Sequence, residues 1–471
     1  MGYRTSRMVI RRGGKHKALY RVIQANMAHA AAVYNKTLFH IRNLFTGLNK
    51  DEFHRTENER MVINAVRTAI DDINRKRITK GREPFAYPTP EMPYLGDYLW
   101  LSVMNRILKD CLPRPESFYS KLEQQTVRQC CRAMKSFRQA IADWKVHPDK
   151  YLGRPALPGY IRSGTFTLDY DCQMVRPGGN GNRHTLRLAG VGPVLKTGRK
   201  QYTDIVSIRL AFRHGDIVAS ICMKENPAAE NTAAPDAAAQ PDPGRMIGID
   251  PGVNNFLAVC PGFGRAPILV RGGRLKAMNQ YYNKQKAFLQ ANLKKAEDRY
   301  SSRRLDKLDA DRENFLYNYF HQTARSIVDY ALRERAGTIV IGRNIGWKQR
   351  SSMGKLSNQK FTYIPHQRFF RILEDKAKRS GILVAYTEES YTSLASARDR
   401  DVIPVYGKTT QDEQPRFSGR RIRRGLYISA DGTKVNADVN GAANIIRKYC
   451  EEGLQADLDY LAGPVYVLNV A

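Results

Sequence analysis

The sequence predicts an α/β protein in two parts: a helical lobe with a β-rich module, then a domain in which strands and helices alternate. Three observations carry this. Apolar residues in roughly the first 150 positions recur every three or four residues. Between 151 and 225 they contract into short β-type runs broken by Gly, Asn and Asp, and beyond 245 short apolar runs alternate with long helical patterns. At about 100–200 residues per domain, 471 residues allow two to four domains.

Taken in order, residues 1–20 hold the first strand of the β-rich module, and 21–150 the helical lobe. In that lobe Ile23, Met27, Ala31, Tyr34, Leu38, Ile41 and Phe45 mark one helix face, a second helix covers 61–73, and Leu122 to Trp144 mark another. A Pro-rich break lies at 85–93. Strands are expected at 166–170, 186–189, 205–212 and 217–223. Residues 226–244, with eleven Ala or Pro and no Lys or Arg, read as a linker. The domain 245–471 opens with three strands (246–250, 256–260, 268–271) joined by tight turns, which predicts a meander. Long helices (275–300, 305–332) form a helical insertion over 275–335; a strand (338–342), a helix (366–380), a strand (382–387) and a last helix (437–449) follow. Strand, strand, strand, helix, strand, helix, strand, helix is the order of an RNase H-like fold.

Composition narrows function. Lys and Arg number 77 against 45 Asp and Glu, a formal charge of +32, which points to a phosphate-rich partner, nucleic acid. The 42% of hydrophobic residues supports real cores and excludes a disordered basic tail. The opening segment has no apolar stretch of signal-peptide length, and no window nears the ~20 residues of a membrane span. A cytoplasmic, nucleoid-associated protein with no membrane partner is expected. Seven cysteines without a C-x-x-C pair encode neither a disulfide framework nor a zinc ribbon. No P-loop spacing and no paired-histidine motif occur.

In so basic a chain, acids at strand ends stand out. Asp250 closes the run MIGI and is followed by Pro251-Gly252, which puts its carboxylate at the end of a central strand. Asp438 lies at the start of the last helix, where an N-cap role is the simpler alternative. With a Glu on a neighbouring strand they could hold Mg²⁺, a hard cation that prefers carboxylate oxygen. Two such ions about 3.5–4 Å apart serve phosphodiester cleavage.

IGIDPGVNNFLAV, IVIGRNIGWKQRS with NQKFTYIPH, TEESYTSLAS, FSGRRIRRGLY and NADVNGAANIIRK resemble, in order, the RuvC motifs of TnpB, the transposon-associated RNA-guided nuclease, and of the compact type V CRISPR effectors. The front part, including GRPALPGY, is similar to the recognition lobe and wedge module of that family. The resemblance implies an α/β RNase H-like (RuvC) nuclease domain, a helical recognition lobe over 21–150 and a β-rich wedge, an oligonucleotide-binding-like barrel, over 151–225. It also implies a basic target-strand-binding insertion at 397–424. The implied activity is that of a metal-dependent endodeoxyribonuclease that binds a structured guide RNA, transposon-derived or CRISPR, pairs it with double-stranded target DNA beside a short flanking motif, and cuts with one RuvC site. Two Mg²⁺ ions, with Mn²⁺ as a substitute, would be the cofactors.

Two departures from the family pattern matter. The second catalytic acid usually ends the fourth strand, where this chain has Gly342; TEESYTS offers Glu388 and Glu389 on the next strand, and Glu389, two residues before the Tyr of YTS, fits a relocated acid better. Strand alternation allows only one of the two to serve. The expected catalytic and metal set is thus Asp250, Glu389 and Asp438. The zinc ribbon of many relatives is also missing, since 397–419 has no cysteine, and no zinc is expected.

Nucleic-acid contacts are expected from Arg343, Lys348, Arg350, Lys355, Lys360, Arg420, Arg421, Arg423 and Arg424. Segment 343–380 holds ten Lys or Arg against Glu374 and Asp375, interleaved with Trp347, Phe361, Tyr363 and Phe369 for base stacking. His366 reads as a phosphate contact or a packed residue. Two other functions fit at this stage: a nuclease-inactive RNA-guided repressor, and a protein-guided RuvC-like nuclease or transposase accessory protein.

Overall fold

The computed structural model describes residues 2–162, 164–225, 240–297, 301–343, 364–405, 415–423, 425–450 and 458–470. The chain forms two compact units, Met1–Glu230 and Asn231–Ala471.

In the first unit, strand β1 (Tyr3–Ile10) pairs antiparallel with β7 (Asp216–Lys224), so the first strand closes on the last. With β6 (Ile205–Arg213) and β2 (Leu168–Asp171) they make an antiparallel sheet in the order β1-β7-β6-β2. A second sheet joins β3 (Val175–Gly178), β4 (His184–Leu188) and β5 (Leu195–Gly198). Four long helices precede them: α1 (Lys17–Leu48), α2 (Glu57–Ile78), α3 (Asp97–Cys111) and α4 (Ser120–Val146). The expected stripe of α1 is its core face, with Ile23, Met27 and Leu38 fully buried. Helix α2 begins with a capping box in which Thr56 and Glu59 satisfy each other's backbone N–H groups. Helix α3 was not anticipated from the sequence. Its buried residues Leu99, Trp100, Val103, Met104 and Leu108 have helical spacing, but they follow the Pro-rich break closely.

In the second unit β8 (Asp242–Pro251), β9 (Asn255–Pro261) and β10 (Ile268–Arg271) form the antiparallel meander. Residues 242–244 therefore belong to β8, because Asp242 already pairs with Ala336, and the linker is shorter than the composition implied. Helices α5 (Gly273–Glu297) and α6 (Arg303–Arg333) lead to β11 (Ala336–Gly342), which runs parallel to β8. Helix α7 (His366–Arg379) leads to β12 (Leu383–Thr387), parallel to β11. A short β16 (Tyr466–Leu468) closes the other edge, giving the order β12-β11-β8-β9-β10-β16.

Strand alternation sorts the two faces of this sheet. Ile247, Ile249, Leu257, Val259, Ile339 and Ile341 join a core with Phe320 and Ile327 of α6 and Phe369 and Leu373 of α7. The opposite face, through Ala258, Cys260 and Leu269, packs on Val439, Ala442 and Ala443 of α8 (Ala437–Tyr449). Helix α8 is introduced by a small antiparallel sheet of β13 (Arg420–Arg423), β14 (Leu426–Ile428) and β15 (Lys434–Asn436). All seven cysteines are free. Among the described residues, no helix is long and apolar enough to cross a membrane.

Candidate active site

Asp250 is the next-to-last residue of central strand β8. Alternation from Ile247 and Ile249, which face α6 and α7, turns its carboxylate toward α8. There, a Cβ on Gly441 would lie 2.7 Å from Asp250 Oδ2, so only glycine lets the helix pass this close. The Asp250 carboxyl is held well above the usual carboxylate range, by burial first and then by the charges of Glu389 and Asp438, with Arg421 opposing. The structure thus brings Glu389 and Asp438 into electrostatic reach of Asp250.

Asp438 is in the first turn of α8 but is not its cap. Asn436 is the N-cap, accepting from the backbone N–H groups of Asp438 and Val439 at 3.0 and 3.2 Å. This leaves the Asp438 carboxylate to other groups. Asn255 Nδ2 donates to its Oδ2 at 2.8 Å, and Arg421 Nη2 to its Oδ1 at 3.4 Å.

Glu388 and Glu389 lie just past β12, which ends at Thr387, and not on the strand as expected. Their roles differ. Glu388 pairs with Lys448 and accepts from Ser390 N at 2.7 Å; burial pushes its carboxyl up, but these partners outweigh it and hold it below its ordinary value. Glu389 is pushed up to about 7 by burial and by the charge of Glu388, with Lys448 opposing. A Cβ placed on Gly342 would stand 3.4 Å from the Cβ of Glu389 and 2.5 Å from Ile445 Cδ1. A side chain at 342 would therefore start in contact with the Cβ of Glu389. We expect Gly342→Ala to destabilise the second unit by about 1–3 kcal/mol, through overpacking against Ile445, read as a lowered unfolding midpoint.

The segment carrying Glu389 is pinned by buried polar groups of α8 that sequence reasoning missed. Asn440 accepts from Ala397 N at 2.9 Å and donates to Ala395 O at 2.8 Å. Asn444 donates to Thr392 O and Ala395 O at 2.9 and 2.7 Å, and Arg447 donates to Asn444 Oδ1 at 2.7 Å and to Asp401 O at 2.8 Å. The signal was present: asparagines at 436, 440 and 444 recur four apart along one helix. Asn444→Ala strands several buried partners at once, for an expected loss of about 2–4 kcal/mol. The check is thermal unfolding, with a midpoint drop of roughly 5–10 °C.

The basic candidates divide. Arg343 lies beside the acid cluster, its backbone N–H donating to Thr387 O at 2.8 Å, and with Arg368, Arg371, Tyr317 and His321 it lines an open cleft of about 970 Å³. Strand β13 exposes Arg420 and Arg423, while Arg421 reaches Asp438. Lys348, Arg350, Lys355, Lys360 and Arg424, like Trp347, Phe361 and Tyr363, lie outside the described residues. Phe369 is no base-stacking residue, because it is fully buried in the core of the sheet. His366 is a packed residue, 1% exposed, its ring stacked on Phe256 and its Nε2 3.2 Å from Gly252 O.

The donor set fits hard divalent cations: three carboxylates, with their repulsion incompletely balanced by Arg421 and Lys448. Among the described residues, no three His, Cys, Asp or Glu side chains already form a closed metal cage.

Residues 220–348 match the family model described as a probable transposase, OrfB_IS605, and residues 366–445 match the Cas12f1-like TNB domain. No curated protein matches the chain. Among solved structures, a Cas12f1 chain from a complex with sgRNA and target DNA aligns with a TM-score of 0.50 at 12% identity, over 91% of this chain and 82% of that one. A CRISPR–Cas12f ternary complex gives 0.32 at 12% identity over 86% and 81% of the chains. C2c1 of Alicyclobacillus acidoterrestris with single-guide RNA gives 0.35 at 12% identity over 93% and 70%. The first of these likenesses shows a fold of mixed α/β sheets and helices of the Cas12f1 kind. Residues 220–348 and 366–445 are thus similar, in order, to the two groups the motifs resemble, the IS605-type transposases that include TnpB and the Cas12f1-like type V effectors.

Proposed function

We propose that the protein is an RNA-guided DNA endonuclease whose six-stranded sheet is an RNase H-like (RuvC) nuclease fold. What supports this is that Glu389 and Asp438 lie within electrostatic reach of Asp250 at the end of the sheet, in a chain of net charge +32. A guide RNA would supply sequence specificity by pairing with target DNA, while the protein reads backbone shape and a short flanking motif.

Asp250, Glu389 and Asp438 would hold the two Mg²⁺ ions. Bound there, these would supply an activated water and neutralise the charge that develops on the scissile phosphate. The chain's own residues do the rest. Asn255 and Arg421 orient the Asp438 carboxylate from two sides, and the asparagines of α8 hold the Glu389 segment in place. Arg343, Arg368 and Arg371 offer phosphate contacts along the adjoining cleft.

The raised carboxyl of Glu389 has a consequence for stability that needs no cleavage assay. A carboxyl raised from its ordinary 4.5 to about 7 keeps its proton in the folded state when the unfolded chain has lost it. Below 4.5 both states are protonated, and between 4.5 and 7 the folded state binds more protons, so stability falls as pH rises through that window. Metal-free wild type should therefore lose stability against Glu389→Gln from about pH 4.5 to 7, and Mg²⁺ should remove the difference. A gap that is flat in pH and indifferent to Mg²⁺ would count against Glu389 as a ligand.

A further inference from the structure

The first unit contains a cleft that the nuclease chemistry does not use. We propose that it seats one nucleotide of a single RNA strand, with the phosphate on Arg176 and Arg187 and the base on the ring of Tyr119. The proposal deepens the guided-nuclease reading and rests on it, since the strand would be the guide.

The cleft, about 360 Å³, falls within the ~300–1,000 Å³ of small-molecule sites. It is lined by Tyr119, Gln173, Met174, Arg176, Arg187 and the loop 188–192, with no Asp or Glu in its wall. Arg176 of β3 stands directly opposite Arg187 of β4 in the antiparallel register. Their neighbours Val175, Leu186 and Leu188 are buried, so both arginines project from the other face of the sheet. Like charges directly opposite destabilise a sheet, and side chains so placed start only about 4.5–5.5 Å apart. Among the described residues neither guanidinium has a carboxylate partner; Asp171 is taken by Lys121 at 2.8 Å. An arrangement that costs stability in the free protein becomes favourable when a phosphate sits between the two forks.

Two further features point the same way. Tyr119 is the N-cap of α4, a 27-residue helix, and no side chain caps that end, so the helix adds a field that favours an anion. The loop is also pressed against this end. Gly190 has φ +77°, and a Cβ there would lie 2.7 Å from Ser117 O. The Tyr119 side of the cleft keeps an aromatic surface exposed, 43% for the residue, and such a ring takes an unstacked base, which a duplex does not present.

The test uses the full-length protein freed of nucleic acid. Binding of a fluorescein-labelled 12-nucleotide oligouridine, the matching oligothymidine and a DNA duplex is followed by anisotropy over a salt series. A 4-thiouridine oligomer is photocrosslinked and the adduct mapped. We expect a crosslink within residues 117–119, lost in Arg176→Ala/Arg187→Ala. The double variant should bind RNA about tenfold more weakly, with a salt slope smaller by roughly 0.7–1.4. Tyr119→Ala should weaken binding about 5- to 100-fold and Tyr119→Phe should restore it. Because the pair repels itself, each single arginine variant should melt no lower than wild type; a clear drop in Tm would mean a structural role and overturn the proposal. Wild-type binding with an unchanged crosslink in the double variant overturns the pocket and leaves the guided reading standing. Preference for oligothymidine overturns the assignment to RNA. Failure of wild type to bind any RNA strand overturns the guided reading itself.

Discussion

Asp250→Ala should leave RNA and DNA binding intact while slowing guided cleavage by at least about 10³-fold, roughly 4 kcal/mol of transition-state stabilisation. The size follows from its position. Asp250 is the next-to-last residue of the central strand of the sheet, under the helix that carries Asp438, where even a Cβ at Gly441 would crowd its carboxylate at 2.7 Å. A second effect should accompany the first. Because burial and two neighbouring carboxylates raise the Asp250 carboxyl, its removal relieves repulsion, and the metal-free variant should melt higher than wild type. Cleavage assays with a fixed guide, paired with thermal unfolding with and without Mg²⁺, check both. A variant that loses cleavage by misfolding would instead melt lower.

The adjacent glutamates should separate cleanly. Glu389→Gln should lose cleavage to a similar degree, because a carboxamide brings no charge to a divalent cation. Glu388→Gln should keep the chemistry and lose stability. Its partner Lys448, whose side chain is only 7% exposed, would then face an uncharged amide oxygen beside the carbonyls of Ser390 and Pro404, at 2.9 and 3.1 Å. The expected cost is about 1–3 kcal/mol, near that of one charged hydrogen bond. The measurement is single-turnover cleavage beside an unfolding curve for each variant. Cleavage lost with Glu388 and kept with Glu389 would reverse the assignment.

These expectations combine what the chain states openly with what only packing reveals. Apolar runs and periodicity were enough for β8 to β12 and for helices α6 and α8, because β9, β11 and α8 are buried along nearly their whole length and α6 buries one regular face. It failed where tertiary context decides. Strands β13 to β15 are three or four residues each and mostly polar, and their pairing depends on β14 being held between two partners. Phe369 shows the opposite failure: among basic residues it reads as a stacking group, yet helical spacing with Phe370 and Leu373 carries it into the core. At the site, Asp250 and Asp438 were legible as acids in a basic chain. The difference between Glu388 and Glu389 was not, because it turns on Lys448, 60 positions away. The Asn436 cap and the Asn255 contact were hidden for the same reason: an asparagine has the same letter whether it faces water, closes a helix or holds a carboxylate.

If an RNA guide directs the cut, a new guide must move it. The protein would be produced with its native flanking sequence, the bound RNA sequenced, and its guide portion replaced with one matching an unrelated DNA; cut positions would then be mapped in Mg²⁺. The account predicts that RNA copurifies, that the cut moves with the guide, and that Asp250→Ala abolishes it at either site. A cut that stays in place when the guide changes, or a nuclease that cuts as well after its RNA is removed, would contradict it.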